Sequence, residues 1–313
     1  AGAALRAVGW WGEKGWLALP WGAFHAVSAF CNAGFGLDAG SLIPWRGNPW
    51  VAITVGLLVI LGGLGFLPAT EVLENWRHGR RRPLSLHTRV ALVATALLLV
   101  AGWAGFAALE WRGTLAGLPG GEKALAIWLQ GIVPRTAGFA SLDFGAMAPA
   151  TLLFVMALMF VGACPGSTAG GVKTTTVGVL AAVFIARVRS RRQVTRFRRG
   201  IGAGSVASAV VVLVLSTAIV VGGFVLVALA EHGAGGGAAA WSSFLPEAFD
   251  VVSAFGTVGL STGITPRLGD LSWAVLILVM FVGRVGPLTL GLALLGRQPR
   301  SEPTDVDEEL LIG

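Results

Sequence analysis

Charge is scarce in this chain. Only 12% of its 313 residues are Asp, Glu, Lys or Arg, while 55% are hydrophobic. A soluble domain of this length needs far more polar surface, so the composition is that of a membrane protein. Cysteine is nearly absent. Cys31 and Cys164 supply neither a disulfide framework nor a metal set, and each reads as a small apolar residue. Four scattered histidines argue against a metal centre. No acid/base pair or nucleophile constellation stands in a plausible site, which speaks against an enzyme. No secretory signal is visible and the first residue is not Met, so the chain is expected to begin partway into a longer protein.

The charge that is present is informative by its placement. The net charge is +7, and of 23 Lys and Arg five fall in Arg77–Arg89 and seven in Arg187–Arg199. Each run directly follows a hydrophobic stretch. That is the positive-inside pattern, and it assigns both loops to the cytoplasmic side. Attraction to anionic membrane lipid is a secondary expectation. Basic runs placed in this way disfavour nucleic-acid binding.

Long apolar runs are abundant. Val51–Ala69, Val90–Leu109 and Val206–Ala230 are uncharged over 19, 20 and 25 residues, long enough to cross a bilayer. Leu271–Gly296 is a further span with Arg284 near its middle. Ala148–Ala163 begins another, which is interrupted at Cys164–Thr176 and resumes at Val177–Ala186. Ala124–Val133 and Phe244–Ala254 are too short to cross and read as half-helices. Gly62, Gly63 and Gly65 thin the first span and allow a close neighbour or a bend. Trp10, Trp11, Trp16 and Trp21 suit the headgroup level. The tail after Gln298 is polar, acidic and expected to be solvated.

One phrase recurs three times. Its copies are Phe30-Cys31-Asn32-Ala33-Gly34-Phe35, Pro134-Arg135-Thr136-Ala137-Gly138-Phe139 and Phe255-Gly256-Thr257-Val258-Gly259-Leu260. Phe24–Phe30 and Phe249–Phe255 agree at five of seven positions, and the three glycines lie 104 and 121 residues apart. A repeat at this period defines the architecture. The unit reads as span, half-helix, phrase, span. It occurs twice in full and once without its first span.

A half-helix that stops at membrane depth leaves its last carbonyls free, at the negative end of the helix dipole. Non-helical backbone there must be buried in protein or line a watery path. Glycine in each phrase permits backbone angles that turn carbonyls inward, where they can replace a cation's water shell. No phrase core holds a carboxylate, which disfavours an acidic ring for divalent ions. The plainer alternative, glycines that only let helices pack closely, does not explain why each follows a half-helix.

The interruption at Cys164–Thr176 is a second feature. Pro165, Gly166, Gly170 and Gly171 cannot hold a regular helix. Lipid would leave such backbone unmet, so the segment is expected to face the pore. Ser167, Thr168, Thr174 and Thr175 are placed to bond the freed backbone. Arg284 is an intramembrane charge, which costs at least roughly 2.5 kcal/mol to insert. It is expected to repel cations or to pin the interrupted loop through its carbonyls. Lys173 is another candidate to face that backbone. A rigid kink, and a structural or snorkelling Arg, are the alternatives. Arg135 either braces the second phrase or acts outside it. His25 is expected on the half-helix surface at the external interface, with no ligand role.

Four stretches, Phe24–Phe35, Pro134–Phe139, Gly166–Thr175 and Met280–Thr289, resemble the Trk/Ktr/HKT superfamily of potassium transporters, and within it the KtrB-type membrane subunit. The resemblance covers nearly the whole chain. It implies an all-α polytopic membrane protein, with repeated helix–pore half-helix–filter loop–helix units around a pseudo-fourfold pore. Potassium uptake through a backbone-carbonyl filter follows from it. The filter positions it implies are Asn32, Ala33 and Gly34, then Thr136, Ala137 and Gly138, then Thr257, Val258 and Gly259. Its gate positions are Gly166, Ser167, Thr168, Gly170, Gly171, Lys173 and Arg284.

By order, the chain holds a second pore unit at 1–83 that lacks its first helix, a third at 84–199, a fourth at 200–298 and a cytoplasmic tail at 299–313. A first unit, with the remaining filter, is expected to be missing. In the family, Gly at these positions goes with potassium selectivity, and Ser at the first with sodium permeation. The resemblance implies K+ as the transported ion, Na+ as a stimulant and no covalent cofactor. It implies a homodimer in the lipid membrane, docked on a cytosolic ring of nucleotide-binding regulatory subunits of the KtrA/TrkA type. A non-transporting membrane fragment is one alternative. The other is an alternating-access transporter, which would show paired breaks in inverted repeats. Here the repeats run the same way, and only one long helix is expected to be broken.

Overall fold

A computed structural model describes residues 15–38, 40–77, 79, 83–189, 195–196, 199–233 and 238–286. Expectations that rest on Trp10 and Trp11, on part of each arginine run, on 287–296 and on the tail at 299–313 lie outside these residues.

Helices account for nearly all the regular structure described. They are α1 (Ala18–Phe30), α2 (Pro49–Gly63), α3 (Phe66–Arg77), α4 (Leu86–Glu110), α5 (Gly120–Ile132), α6 (Pro149–Phe160), α7 (Thr174–Val188), α8 (Ala203–His232), α9 (Ala238–Gly256) and α10 (Asp270–Val285). The exception, besides short 3-10 turns, is a ribbon pairing β1 (Thr195–Arg196) with β2 (Arg199–Gly200). Helix starts follow local chemistry. Asn48 accepts hydrogen bonds from the amides of Trp50 and Val51 with Pro49 behind it, and Ser85 accepts from the amide of Thr88.

The three short helices α1, α5 and α9 each precede one copy of the phrase. Each packs on long neighbours of its own repeat: α1 on α2, α5 on α4, and α9 on α8 and α10. Between repeats, α2 packs on α5 and α6 packs on α9. Each closing helix therefore meets the short helix of the following repeat, which turns the repeats about a common centre. Val55, Val59, Leu129, Ile132, Val155 and Met159, on α2, α5 and α6, belong to one buried apolar cluster. Large apolar side chains also cover the outside, among them Leu97, Val100, Val214, Leu226 and Phe281. Such a surface suits hydrocarbon rather than water. Among the described residues, α4 and α8 are long and apolar enough to cross a membrane alone, and α2 with α3 forms a third span if counted together.

Two acids tie the repeats. Glu110, fully buried at the end of α4, accepts from Thr114 (N at 2.8 Å, Oγ1 at 3.0 Å), from the Ala148 amide at 3.1 Å and from Thr151 Oγ1 at 2.5 Å. Glu231, near the end of α8, accepts from the Gly269 amide at 2.8 Å and Ser272 Oγ at 2.5 Å. Each long helix thus satisfies the free amides that begin its closing helix, α6 or α10.

Several expectations are corrected. Val51–Ala69 is not one span: the chain breaks after α2, at Leu64 and Gly65, and α3 leaves at 100° to α2. Gly65 adopts φ +77°, and a Cβ there would lie 2.6 Å from the Pro165 carbonyl. Arg284 is not mid-helix. It stands in the last turn of α10, because Gly286 takes φ +93° and stops the helix. The expectation of a single broken helix therefore fails as well. The half-helix expected at Phe244–Ala254 is longer, running from Ala238 to Gly256 through Pro246. His25 is not on a surface. It is 1% exposed, with Nδ1 2.9 Å from the Trp21 carbonyl and its ring against Trp21 and Phe139.

Candidate ion pathway

The three phrases fold into the same backbone shape. Asn32 has φ +50° and Gly34 φ +74°; Thr136 has φ +75° and Gly138 φ +69°; Thr257 has φ +50° and Gly259 φ +89°. Only one other described non-glycine residue, Ser41, has a positive φ. The left-handed region costs a residue with a Cβ about 1–2 kcal/mol. Finding it at the same position in all three loops marks a shared constraint rather than local accident. The first and third loops are also closed alike, by amides of Ala33 and Val258 donating to the carbonyls of Ser28 and Ser253, each at 2.8 Å. The middle loop closes one residue tighter, from Ala137 to Val133 at 3.0 Å.

These loops meet. A Cβ on Gly34 would lie 2.8 Å from both the Ala137 carbonyl oxygen and the Gly138 Cα. One on Gly138 would collide with the Val258 carbonyl oxygen and lie 3.1 Å from the Gly34 Cα. One on Gly259 would be 3.8 Å from the Gly138 Cα. The structure therefore brings Asn32, Ala33 and Gly34, Thr136, Ala137 and Gly138, and Thr257, Val258 and Gly259 to one place. Thr136, Ala137 and Val258 have no exposed surface, while Gly259 is exposed. With its amide nitrogen turned to the carbonyls of Ala29 and Val59, Asn32 directs its side chain toward α2 and away from the neighbouring loops. The Thr136 hydroxyl is buried and meets no partner.

The interrupted segment lies at the end of these loops that adjoins the short helices. Its chain re-pairs at once: Val172 donates to the Phe160 carbonyl at 3.1 Å and Gly162 to the Val172 carbonyl at 2.9 Å. From the first repeat, Gly63 accepts from the Cys164 amide at 3.0 Å, and the Phe66 amide donates to the Gly166 carbonyl at 3.3 Å. From the third, Gly283 accepts from the Gly171 amide at 3.3 Å. Arg284 Nη1 donates to the Thr168 carbonyl, and lies 3.4 Å from Thr257 Oγ1. Lys173 Nζ donates to the Ala169 carbonyl, back within the segment. Ser167 Oγ accepts from the Ala169 amide at 3.4 Å, and Thr168 Oγ1 donates to the Phe30 carbonyl at 3.4 Å. Gly170 packs so closely on Thr257 that a Cβ would overlap its hydroxyl. Cys164 is buried and accepts from Thr174 Oγ1 at 3.3 Å.

Residues 6–301 match the family model of TrkH, described as a cation transport protein. The chain belongs to this family. It is 40% identical over 268 residues to the Ktr system potassium uptake protein B of Bacillus subtilis, covering 85% of this chain and 58% of that one. It is 37% identical over 303 residues to the potassium/sodium uptake protein NtpJ of Enterococcus hirae, covering 96% of this chain and 65% of that one. Its fold is similar to the crystal structure of the potassium transporter TrkH from Vibrio parahaemolyticus, with TM-score 0.66 at 17% identity over 94% of this chain and 61% of that one. The chain spans about three-fifths of the length of these relatives. It is a multi-pass, helical membrane protein of a transport family.

Sequence reasoning overlooked two features. Gly62 and Gly283 press against the carbonyls that end α1 and α9, those of Phe30 and Phe255. The sequence reads Gly62 as room for a close neighbour or a bend, without naming the Phe30 carbonyl as that neighbour. Asp250, which lines a cavity beside the third loop, had been aligned with His25 and then passed over. Arg135 is 6% exposed and its Nε has no partner, so no bracing bond from that atom supports the second loop.

Proposed function

We propose that this chain forms the conducting part of a potassium uptake protein of the cell membrane. The observation that carries the reading is the matching pair of left-handed residues in three loops that touch. Such alternation turns successive peptide planes so that carbonyl oxygens share one side. Clustered carbonyls can take the place of water around a dehydrated monovalent cation. The absence of any carboxylate among the nine loop positions favours K+ over divalent ions, since the coordination is by neutral dipoles.

In this reading the Cys164–Thr176 segment obstructs the path below the filter, Arg284 holds it there and Lys173 braces its own fold. The units fall at 1–83, 84–199 and 200–298, with the arginine-rich loops on the cytoplasmic side. Those loops face a cytosolic ring of KtrA/TrkA-type nucleotide-binding subunits, the partner that the sequence resemblance implies. A homodimer and stimulation by Na+ belong to the same reading. The membrane potential drives uptake.

Rb+ uptake in cells without potassium uptake of their own, expressing the chain, tests it. Saturable uptake competed by K+ more strongly than by Na+ is expected. Uptake no greater than that of control cells, with the protein present in the membrane, overturns it.

One observation favours a second reading, alternating access. The closing helices of the first and second repeats are both broken, and α10 stops at Gly286. The repeats nevertheless run in the same sense, whereas rocking mechanisms of this kind commonly use inverted ones. Obligatory exchange with a counter-substrate would favour it.

A further inference from the structure

Asp250 plays no part in the pathway described above. It lies on α9 ahead of the third loop, at the position that His25 takes on α1. It is 5% exposed. Its Oδ2 accepts hydrogen bonds from Ser261 Oγ at 3.2 Å and from Thr265 Oγ1. Its Oδ1 is buried and has no hydrogen-bond partner. Thr262 Oγ1, in the same return segment, is also buried and unpartnered, and the Thr262 amide faces the carboxylate.

The carboxylate lines a cavity of about 540 Å³ whose walls include Asn32, Val258 and Gly259 of the first and third loops. Among the described residues lining it, only Asp250 and Arg284 carry charge. Arg284 meets the third loop where it leaves α9, at Thr257. Asp250 meets the chain after the loop, at Ser261 and Thr265. The two charges therefore bracket the carbonyls of the third loop, the negative one at the far end from the gating segment.

A buried carboxylate with a vacant oxygen is costly unless a cation offsets it. Among the described residues lining the cavity no side-chain cation is placed to do so, since Arg284 is engaged at the other end. The hydroxyls of Ser261 and Thr265 already converge on the site. One carboxylate among neutral oxygens balances a single positive charge. A divalent ion generally recruits more acidic ligands or keeps its water.

We propose that Asp250, with the hydroxyls of Ser261 and Thr265, holds a partly dehydrated monovalent cation at the outer mouth of the pathway. The site stages the ion before it reaches the carbonyls of the third loop. This rests on reading the chain as a cation pathway.

The concentration dependence of Rb+ uptake tests the site, in cells lacking potassium uptake and expressing wild type, Asp250→Asn or Asp250→Glu. Asp250→Asn is expected to raise the half-saturating Rb+ concentration about tenfold, the weight of one lost charge contact, with the maximal rate retained. Asp250→Glu is expected to recover most of the affinity. Equal half-saturation in wild type and Asp250→Asn overturns the site. So does a lower maximal rate and less inserted protein at unchanged half-saturation, which makes the carboxylate only a staple for the return segment. Should Asp250→Asn fail to reach the membrane, Thr265→Ala keeps the charge and is expected to shift half-saturation in the same direction; no shift there overturns the site. A wild type that carries no Rb+ overturns the pathway reading itself.

Discussion

Arg284 Nη1 donates to the carbonyl of Thr168, 116 residues earlier in the chain. The same nitrogen lies 3.4 Å from Thr257 Oγ1 in the third loop. One side chain thus ties the interrupted segment of the second repeat to the loop of the third. A charge-assisted bond to a carbonyl contributes about 1.5–3 kcal/mol. If the segment obstructs the path, Arg284→Gln is expected to raise Rb+ uptake by up to about tenfold, the equivalent of 1.4 kcal/mol. Uptake per inserted protein measures this, and an unchanged rate would mean that Arg284 does not hold the obstruction.

Gly138 and Gly259 should differ sharply in tolerance. A Cβ on Gly138 meets the Val258 carbonyl and lies 3.1 Å from the Gly34 Cα, both backbone that cannot swing aside. On Gly259 the nearest atom is 3.8 Å away. Gly138→Ala is expected to abolish uptake and lower the melting temperature. Gly259→Ala carries only the left-handed cost of about 1–2 kcal/mol and is expected to keep measurable uptake. Melting curves in detergent beside Rb+ uptake would expose the contrast, and equal behaviour of the two variants would contradict the close approach of the loops.

Selectivity should respond to an added hydroxyl at the same glycines. Gly34→Ser or Gly259→Ser is expected to raise Na+ flux relative to K+ flux, because a side chain at the carbonyl ring changes both its width and its dipoles. Paired Na+ and Rb+ uptake on one preparation gives the ratio. A ratio equal to that of wild type would count heavily against these loops as the filter.

Glu110 is a matter of stability rather than transport. It is fully buried and accepts from two backbone amides and two hydroxyls, while Glu231 accepts from one of each. Glu110→Ala leaves the amides of Thr114 and Ala148 unmet, at about 1–3 kcal/mol for each stranded group. A larger drop in melting temperature is expected for Glu110→Ala than for Glu231→Ala. The reverse order would mean that the first staple is compensated by groups not now in contact with it.

The amino-acid sequence by itself determined the membrane class, the threefold phrase and the interruption at Cys164–Thr176. Each of these is written locally: in the length of an apolar run, in a repeated Gly, or in Pro165 beside Gly166. Local pattern offered Arg284 two roles, repelling cations or bonding the interrupted segment, and the contact with the Thr168 carbonyl is a matter of tertiary structure. Tertiary structure decided the rest. Nothing local distinguishes Asn32, Thr136 and Thr257 as left-handed, since their φ is imposed by loops that must abut at Gly34, Gly138 and Gly259. Hydropathy ran Val51–Ala69 together as one span, yet packing against Pro165 turns the chain at Gly65. His25 and Asp250 hold equivalent positions in their repeats. Only the packed structure gives one to aromatic rings and leaves the other a vacant oxygen, because burial depends on what the neighbouring chain brings alongside.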